Sequence, residues 1–229
     1  MDLKIKDIID LLQVSEKTVY RWIKEKKIPC YRINHQYRFS RSEINEWILS
    51  NKIEHSSSLI TLAPVTVPDS FTHLLENGGI HPDISGRTVA EALQNAIETI
   101  LTPMNISKDE ILAALLSREE LMPTAIGQGI AIPHPRNPLV TDAKNASVSI
   151  CYLRDPIDFQ ALDNRPVETL FILLTASPRM HLEVLSKISY LCHQEAFLTL
   201  LKRRAPKEEV LVYVREQEVE WRNRELQKG

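Results

Sequence analysis

His134 closes the run Gly127-Gln128-Gly129-Ile130-Ala131-Ile132-Pro133-His134. Apolar β-branched residues that end at a proline read as a strand giving way to a loop, so the imidazole is expected at that junction. Gly127 and Gly129 permit close backbone approach just before it. A neutral imidazole is a competent nucleophile near pH 7. Arg118, 16 residues earlier, carries a planar guanidinium fork suited to an oxyanion. His181, in Arg179-Met180-His181-Leu182, opens a helix and can donate a ring N–H. A helix beginning near Pro178 also presents backbone N–H groups to an anion. Taken singly, Arg118 reads equally well as a surface helix residue, and His181 as a helix-start donor.

The remaining histidines carry less. His193 falls on a helical stretch, His35 at a hairpin tip, and His55, His73 and His81 in loop-like sequence. No two histidines have metal-ligand spacing, so neither a metal nor another cofactor is expected. The three cysteines, Cys30, Cys151 and Cys192, are widely spaced and odd in number. They indicate neither a zinc ribbon nor a disulfide framework, and point to a reducing, cytoplasmic setting. No signal-peptide core is present, and no apolar run approaches the ~20 residues of a membrane span.

A second constellation is electrostatic. The 229 residues carry a formal charge of -2, but residues 1–52 hold +4 and the remainder -6. Between residues 17 and 41 stand Lys17, Arg21, Lys24, Lys26, Lys27, Arg32, Arg38 and Arg41 against Glu25 alone. A basic module joined to an acidic one suggests a nucleic-acid reader attached to something else.

The elements that position these residues can be read from periodicity. Ile5, Ile8, Ile9, Leu11 and Leu12 mark a short helix. Ser15 reads as the N-cap of a second, from about Glu16 to Lys26, which buries Val19, Trp22 and Ile23. Ser15, Lys17, Thr18 and Arg21 then share its leading polar side, where a recognition helix meets base edges and phosphates. A strand pair follows over residues 30–39, with Asn34-His35-Gln36 at its tip and Arg32 and Arg38 beside it. Ser40 and Glu43 suggest a capped third helix. Helix, turn, helix, hairpin, helix is a winged helix-turn-helix pattern.

Residues 53–72, with four serines, Pro64 and Pro68, read as a linker. Beyond it, Thr88 with Glu91 and Ser107 with Glu110 announce two helices. Strands are expected at 129–132, 147–153 and 168–174, and further helices at about 180–192, 195–203 and 207–226. This alternation predicts an α/β domain over 73–229, a mixed sheet flanked by helices.

The stretch Arg118-Glu119-Glu120, Thr124, Ile126-Gly127, Gly129-Ile130-Ala131-Ile132-Pro133-His134 resembles the enzyme IIA domains of the sugar phosphotransferase system, of the fructose/mannitol/nitrogen-regulatory type. Pro135 stands where that pattern leads one to expect a small residue. The resemblance covers roughly residues 73–215. It implies that a histidine phosphocarrier protein phosphorylates His134, that the group passes onward, and that Arg118 and His181 line the same site. Phosphohistidine is labile enough to transfer its group again, and such transfer needs in-line positioning and donors for the equatorial oxygens. Residues 3–50 are similar to the excisionase/MerR-like helix-turn-helix family, which implies DNA as a partner. Three functions fit: a DNA-binding regulator phosphorylated at His134, a phosphocarrier serving an enzyme IIB or other protein, and a protein-docking regulator without phosphotransfer. A homodimer on paired half-sites is compatible with the first.

Overall fold

The computed structural model describes residues 2–12, 14–33, 36–40, 43–44, 47–48 and 70–226, in two compact units, Met1–Pro64 and Val65–Gly229. His35, His55, Arg41 and most of the expected 53–72 linker lie outside the described residues.

In the first unit, β1 (Asp2–Leu3), α1 (Ile5–Leu12), α2 (Glu16–Lys24), β2 (Tyr31–Ile33) and β3 (Gln36–Ser40) follow one another. Ser15 caps α2, its Oγ accepting from Thr18 N–H at 3.2 Å. Ile8 and Leu12 of α1, Val19 of α2 and Phe39 of β3 are buried, together with Ile44, Trp47 and Ile48. The Trp22 and Trp47 rings lie 5.1 Å apart, and Trp47 Nε1 donates to the Lys27 carbonyl. The sheet order is β1-β3-β2, both pairings antiparallel. β1 was not foreseen, since two residues carry no period. Glu43, the expected capping-box partner of Ser40, accepts from the Tyr31 hydroxyl.

The second unit contains α3 (Phe71–Gly78), β4 (Ile80–Ile84), α4 (Val89–Thr99), α5 (Lys108–Leu121), β5 (Ala125–Gly127), β6 (Ile130–Ala131), β7 (Ser147–Ile157), β8 (Val167–Leu174), α6 (Pro178–Cys192), α7 (Glu195–Lys202) and α8 (Lys207–Leu226). Thr88 and Ser107 cap α4 and α5 as their spacing predicts, accepting from Glu91 N–H and Glu110 N–H at 3.2 and 3.1 Å. The five strands run in the order β4-β7-β8-β6-β5. β4 is parallel to β7, β7 antiparallel to β8, β6 parallel to β8 and β5 antiparallel to β6, a mixed sheet. Side chains alternate between its faces. Cys151, Leu153, Leu170, Ile172 and Leu174 form one core with Leu93, Ala96 and Ile97 of α4 and Ile111 and Leu115 of α5. On the other face Phe171 meets Phe197 of α7, which stacks on Tyr213 of α8.

Three differences from the sequence reading have physical causes. Helix α3 begins at Phe71, within the segment read as linker, because its cap is supplied by a distant residue. Glu218 of α8, itself buried, accepts from Ser70 Oγ and Thr72 Oγ1, both at 2.6 Å, and from the N–H groups of Phe71 and Thr72. β4 was missed because Pro82 interrupts it and its register with β7 shifts between His81 and Ile84. His73 and His81 therefore sit in α3 and β4 rather than in loops, His81 Nε2 lying 2.7 Å from the Gly78 carbonyl oxygen.

Candidate functional site

Helix α5 delivers Arg118 and Glu119 at its C-terminal turn. Arg118 is 6% exposed, and its Nη1 donates to the Met122 carbonyl at 2.7 Å, satisfying an acceptor just past the helix end. It is a buried residue, not a surface one. Glu119 turns toward the next segment, its two oxygens accepting from Thr124 N–H at 3.0 Å and Thr124 Oγ1 at 2.6 Å. Burial pushes the Glu119 carboxyl up, against the bonds from Thr124 and the nearness of Arg118 and His134, which favour its charged form.

The β5–β6 turn then sets the approach to His134. Gly127, Gln128 and Gly129 take φ of 85°, 57° and 77°, three successive left-handed residues. A Cβ on Gly127 would stand 2.8 Å from Asp163 Oδ2, the same oxygen that accepts from Gln128 N–H at 2.7 Å. Strand-like pairing continues beyond β6: Ile132 N–H donates to the Thr124 carbonyl and Leu173 N–H to the Pro133 carbonyl, each at 3.0 Å. His134 stands at the strand-to-loop junction that its sequence predicts, but it is buried there, 3% exposed.

Its ring orientation follows from one contact. His134 Nδ1 lies 2.7 Å from the Ile132 carbonyl oxygen. A carbonyl can only accept, so Nδ1 carries the hydrogen and, in the neutral ring, Nε2 carries the lone pair. His181, 8% exposed on the first turn of α6, brings its ring to 4.6 Å from that of His134, centroid to centroid, inclined by 53°. Helix α6 is capped by Ser177, whose Oγ takes Met180 N–H at 3.2 Å. Pro178 has no N–H, so the first turn offers fewer donors to an anion than its sequence suggested.

The two histidines are thus brought together, while the Arg118 fork is engaged at the helix end. Sequence reasoning missed Glu119, Thr124 and Asp163 as contributors. Glu119 and Thr124 lie inside the motif, but Asp163 carries no local signal.

Residues 73–217 match the family model for the phosphoenolpyruvate-dependent sugar phosphotransferase system, EIIA 2. The chain belongs to this family. Residues 3–52 match a helix-turn-helix domain model. A nitrogen regulatory protein of Pseudomonas aeruginosa is 36% identical over 110 residues, covering 47% of this chain and 68% of that protein. A mannitol-specific phosphotransferase enzyme IIA component of Geobacillus stearothermophilus is 28% identical over 141 residues, 62% of this chain and 93% of that one. The crystal structure of the nitrogen regulatory protein IIA-Ntr from Neisseria meningitidis superposes with a TM-score of 0.51 at 30% identity, covering 63% of this chain and 94% of that one. Against four nitrogen regulatory proteins the matched length is 60% to 68% of the relative. This EIIA domain follows a helix-turn-helix domain, in which the candidate DNA-facing residues divide into two groups. Ser15 and Thr18 spend their hydroxyls on each other, 2.9 Å apart, as part of the α2 cap. Lys17, Arg21 and Arg32 are exposed, whereas Arg38 is half-buried and its Nη2 donates to Gln36 Oε1 at 2.8 Å. Tyr20 and Tyr37 meet edge to face at 6.1 Å, joining α2 to the hairpin. Among the described residues, no helix is long and apolar enough to cross a membrane.

Proposed function

We propose that the protein is a DNA-binding regulator whose EIIA domain accepts a phosphoryl group on Nε2 of His134 from a histidine phosphocarrier protein. The observation that carries this reading is the Ile132 carbonyl on Nδ1, which leaves Nε2 as the nucleophilic nitrogen. His134 attacks phosphorus in line, and the donor imidazole leaves with the electron pair of the broken N–P bond. The proton stays on Nδ1 throughout. His181, beside the ring, is positioned to donate to a phosphoryl oxygen, and Arg118 supplies positive charge from α5. The phosphoryl group then passes to a second protein, an enzyme IIB or another regulator, or is held as a signal. The basic first unit, with Lys17, Arg21 and Arg32 outermost, reads DNA.

The test is incubation with phosphoenolpyruvate and the general phosphotransferase components, followed by mass spectrometry for acid-labile phosphate. Wild-type protein should label on His134 and His134→Ala should not; full labelling of that variant overturns the assignment. His181→Ala should slow transfer more than it lowers stability. Phosphorylation adds roughly -2 of charge, and coupling between sites commonly changes affinity ~5–150-fold. Duplex affinity should therefore differ between the phosphorylated and unphosphorylated forms at one fixed salt concentration. Equal affinities would assign the protein to phosphoryl relay instead.

A further inference from the structure

The Glu119 carboxylate and the His134 ring are 15 residues apart in sequence yet joined by an unbroken series of hydrogen bonds. Thr124 donates to Glu119 from both its N–H and its hydroxyl, at 3.0 and 2.6 Å. The Thr124 carbonyl accepts from Ile132 N–H at 3.0 Å, and the Ile132 carbonyl lies 2.7 Å from His134 Nδ1. In all three backbone-linked bonds the donor hydrogen lies on the histidine side and the accepting oxygen on the Glu119 side, so the bonds run in one sense and polarise one another. Arg118 and His134 lie close enough to Glu119 to act on its carboxyl, and His181 of α6 packs beside the His134 ring. Glu119 is the acidic member.

We propose that Glu119 is a positioning residue for the phosphoacceptor: through Thr124 and Ile132 it fixes the His134 ring, and its negative charge stabilises the positive charge that the ring acquires when Nε2 bonds to phosphorus. The proposal rests on the reading of His134 as phosphoacceptor. In that step the donor's N–P bond breaks, the His134 Nε2–P bond forms, and Nδ1 keeps its hydrogen. The His134 ring becomes an imidazolium while the donor imidazole departs neutral. The developing charge is shared with Nδ1, where the Ile132 carbonyl meets it. A carboxylate at the far end of the series strengthens that acceptor. Triads of histidine and a directly bonded carboxylate achieve the same end by contact; here the carboxylate acts through two intervening residues.

Glu119→Gln retains the shape and an acceptor for Thr124 N–H but removes the charge. In the unphosphorylated full chain, imidazole 15N NMR follows the pH at which His134 gains its second ring proton. That pH should fall in E119Q, and the acid limb of the phosphoryl-transfer profile should move with it. The transfer rate at neutral pH should drop roughly tenfold. Glu119→Asp, which keeps the charge, should restore part of both effects, as a structural role alone would not require. An E119Q protein that folds, titrates and transfers as wild type overturns the proposal. Should E119Q not fold, Glu119→Asp decides, since its shorter side chain draws the carboxylate back from both Thr124 donors; a wild-type ring titration with a wild-type transfer rate there overturns the proposal. Wild-type protein that takes no phosphate overturns the phosphoacceptor reading and the proposal's chemical role together. Normal wild-type labelling beside an unaltered ring titration in E119Q overturns the Glu119 proposal alone.

Discussion

Replacing Glu218 by alanine removes the acceptor for four hydrogen bonds at the start of the EIIA domain. Two of the donors, the N–H groups of Phe71 and Thr72, belong to residues 0% and 4% exposed, so water cannot take over from the carboxylate. A buried donor left without a partner costs ~1–3 kcal/mol, and loss of a helix N-cap ~0.5–2 kcal/mol. The Ser70 and Thr72 hydroxyls can rotate to other partners and add little. The loss should therefore total about 3 kcal/mol. For a domain of this size ~1 kcal/mol corresponds to roughly 2–4 °C, so the melting temperature should fall by about 6–12 °C. Glu218→Gln keeps one carbonyl oxygen and should lose about half as much. Urea unfolding of the full chain, followed by a probe in the EIIA domain, measures the effect as a lower midpoint at unchanged slope. A loss below ~0.5 kcal/mol in the alanine variant would mean that the clamp contributes nothing net, and the account of why α3 starts where it does would fail.

His134→Ala should cost ~1–3 kcal/mol of domain stability in addition to abolishing labelling, because the ring is buried; an unchanged unfolding midpoint refutes this. Burial raises the Glu119 carboxyl in the folded state, so ionisation there works against folding. Its contribution to stability is full at pH below the ordinary value of 4.5 and is lost as pH rises through the raised value. The stability of E119Q relative to wild type should therefore improve between pH 4 and neutrality, on the order of the shift itself, and parallel pH profiles of urea unfolding would contradict the sign. Arg21→Ala should weaken duplex binding and, for a phosphate contact, lower the salt slope by ~1; unchanged affinity and slope would remove Arg21 from the interface. Ser15→Ala should destabilise the first unit by ~1 kcal/mol, measurable by amide exchange in α2, and unchanged protection there would show that the cap contributes nothing.

Much of this architecture was written locally. Ser15, Thr88 and Ser107 each precede a helix and accept from the N–H three residues on, as spacing alone required. The two central strands followed from β-branched runs that are buried on both faces. Elements whose support comes from elsewhere were illegible. Helix α3 depends on a carboxylate nearly 150 residues away, and β4 carries Pro82 and Asp83 in place of an apolar run. The site divides the same way. His134 and His181 were named by type and motif, but the burial of His134 depends on Leu173 and Thr124 holding the chain on either side of it. Glu119 sat within the motif without a chemical signal, since only the tertiary turn brings Thr124 onto it. In sequence Arg118 fits either an oxyanion fork or a surface helix residue, because the position of the Met122 carbonyl depends on how the chain leaves α5.

The order β4-β7-β8-β6-β5 leaves β4 and β5 as the margins of the five-stranded sheet. Both are poor templates for another strand. Pro82 presents no N–H, and Asp83, at φ of 63°, breaks the extended line while Arg154 grips its carboxylate with two bonds of 2.8 Å. β5 is only three residues long and ends in the left-handed turn at Gly127. Blunted margins of this kind suppress sheet-to-sheet aggregation. They also bear on self-association: a second copy finds no long, regular ladder along this sheet to extend.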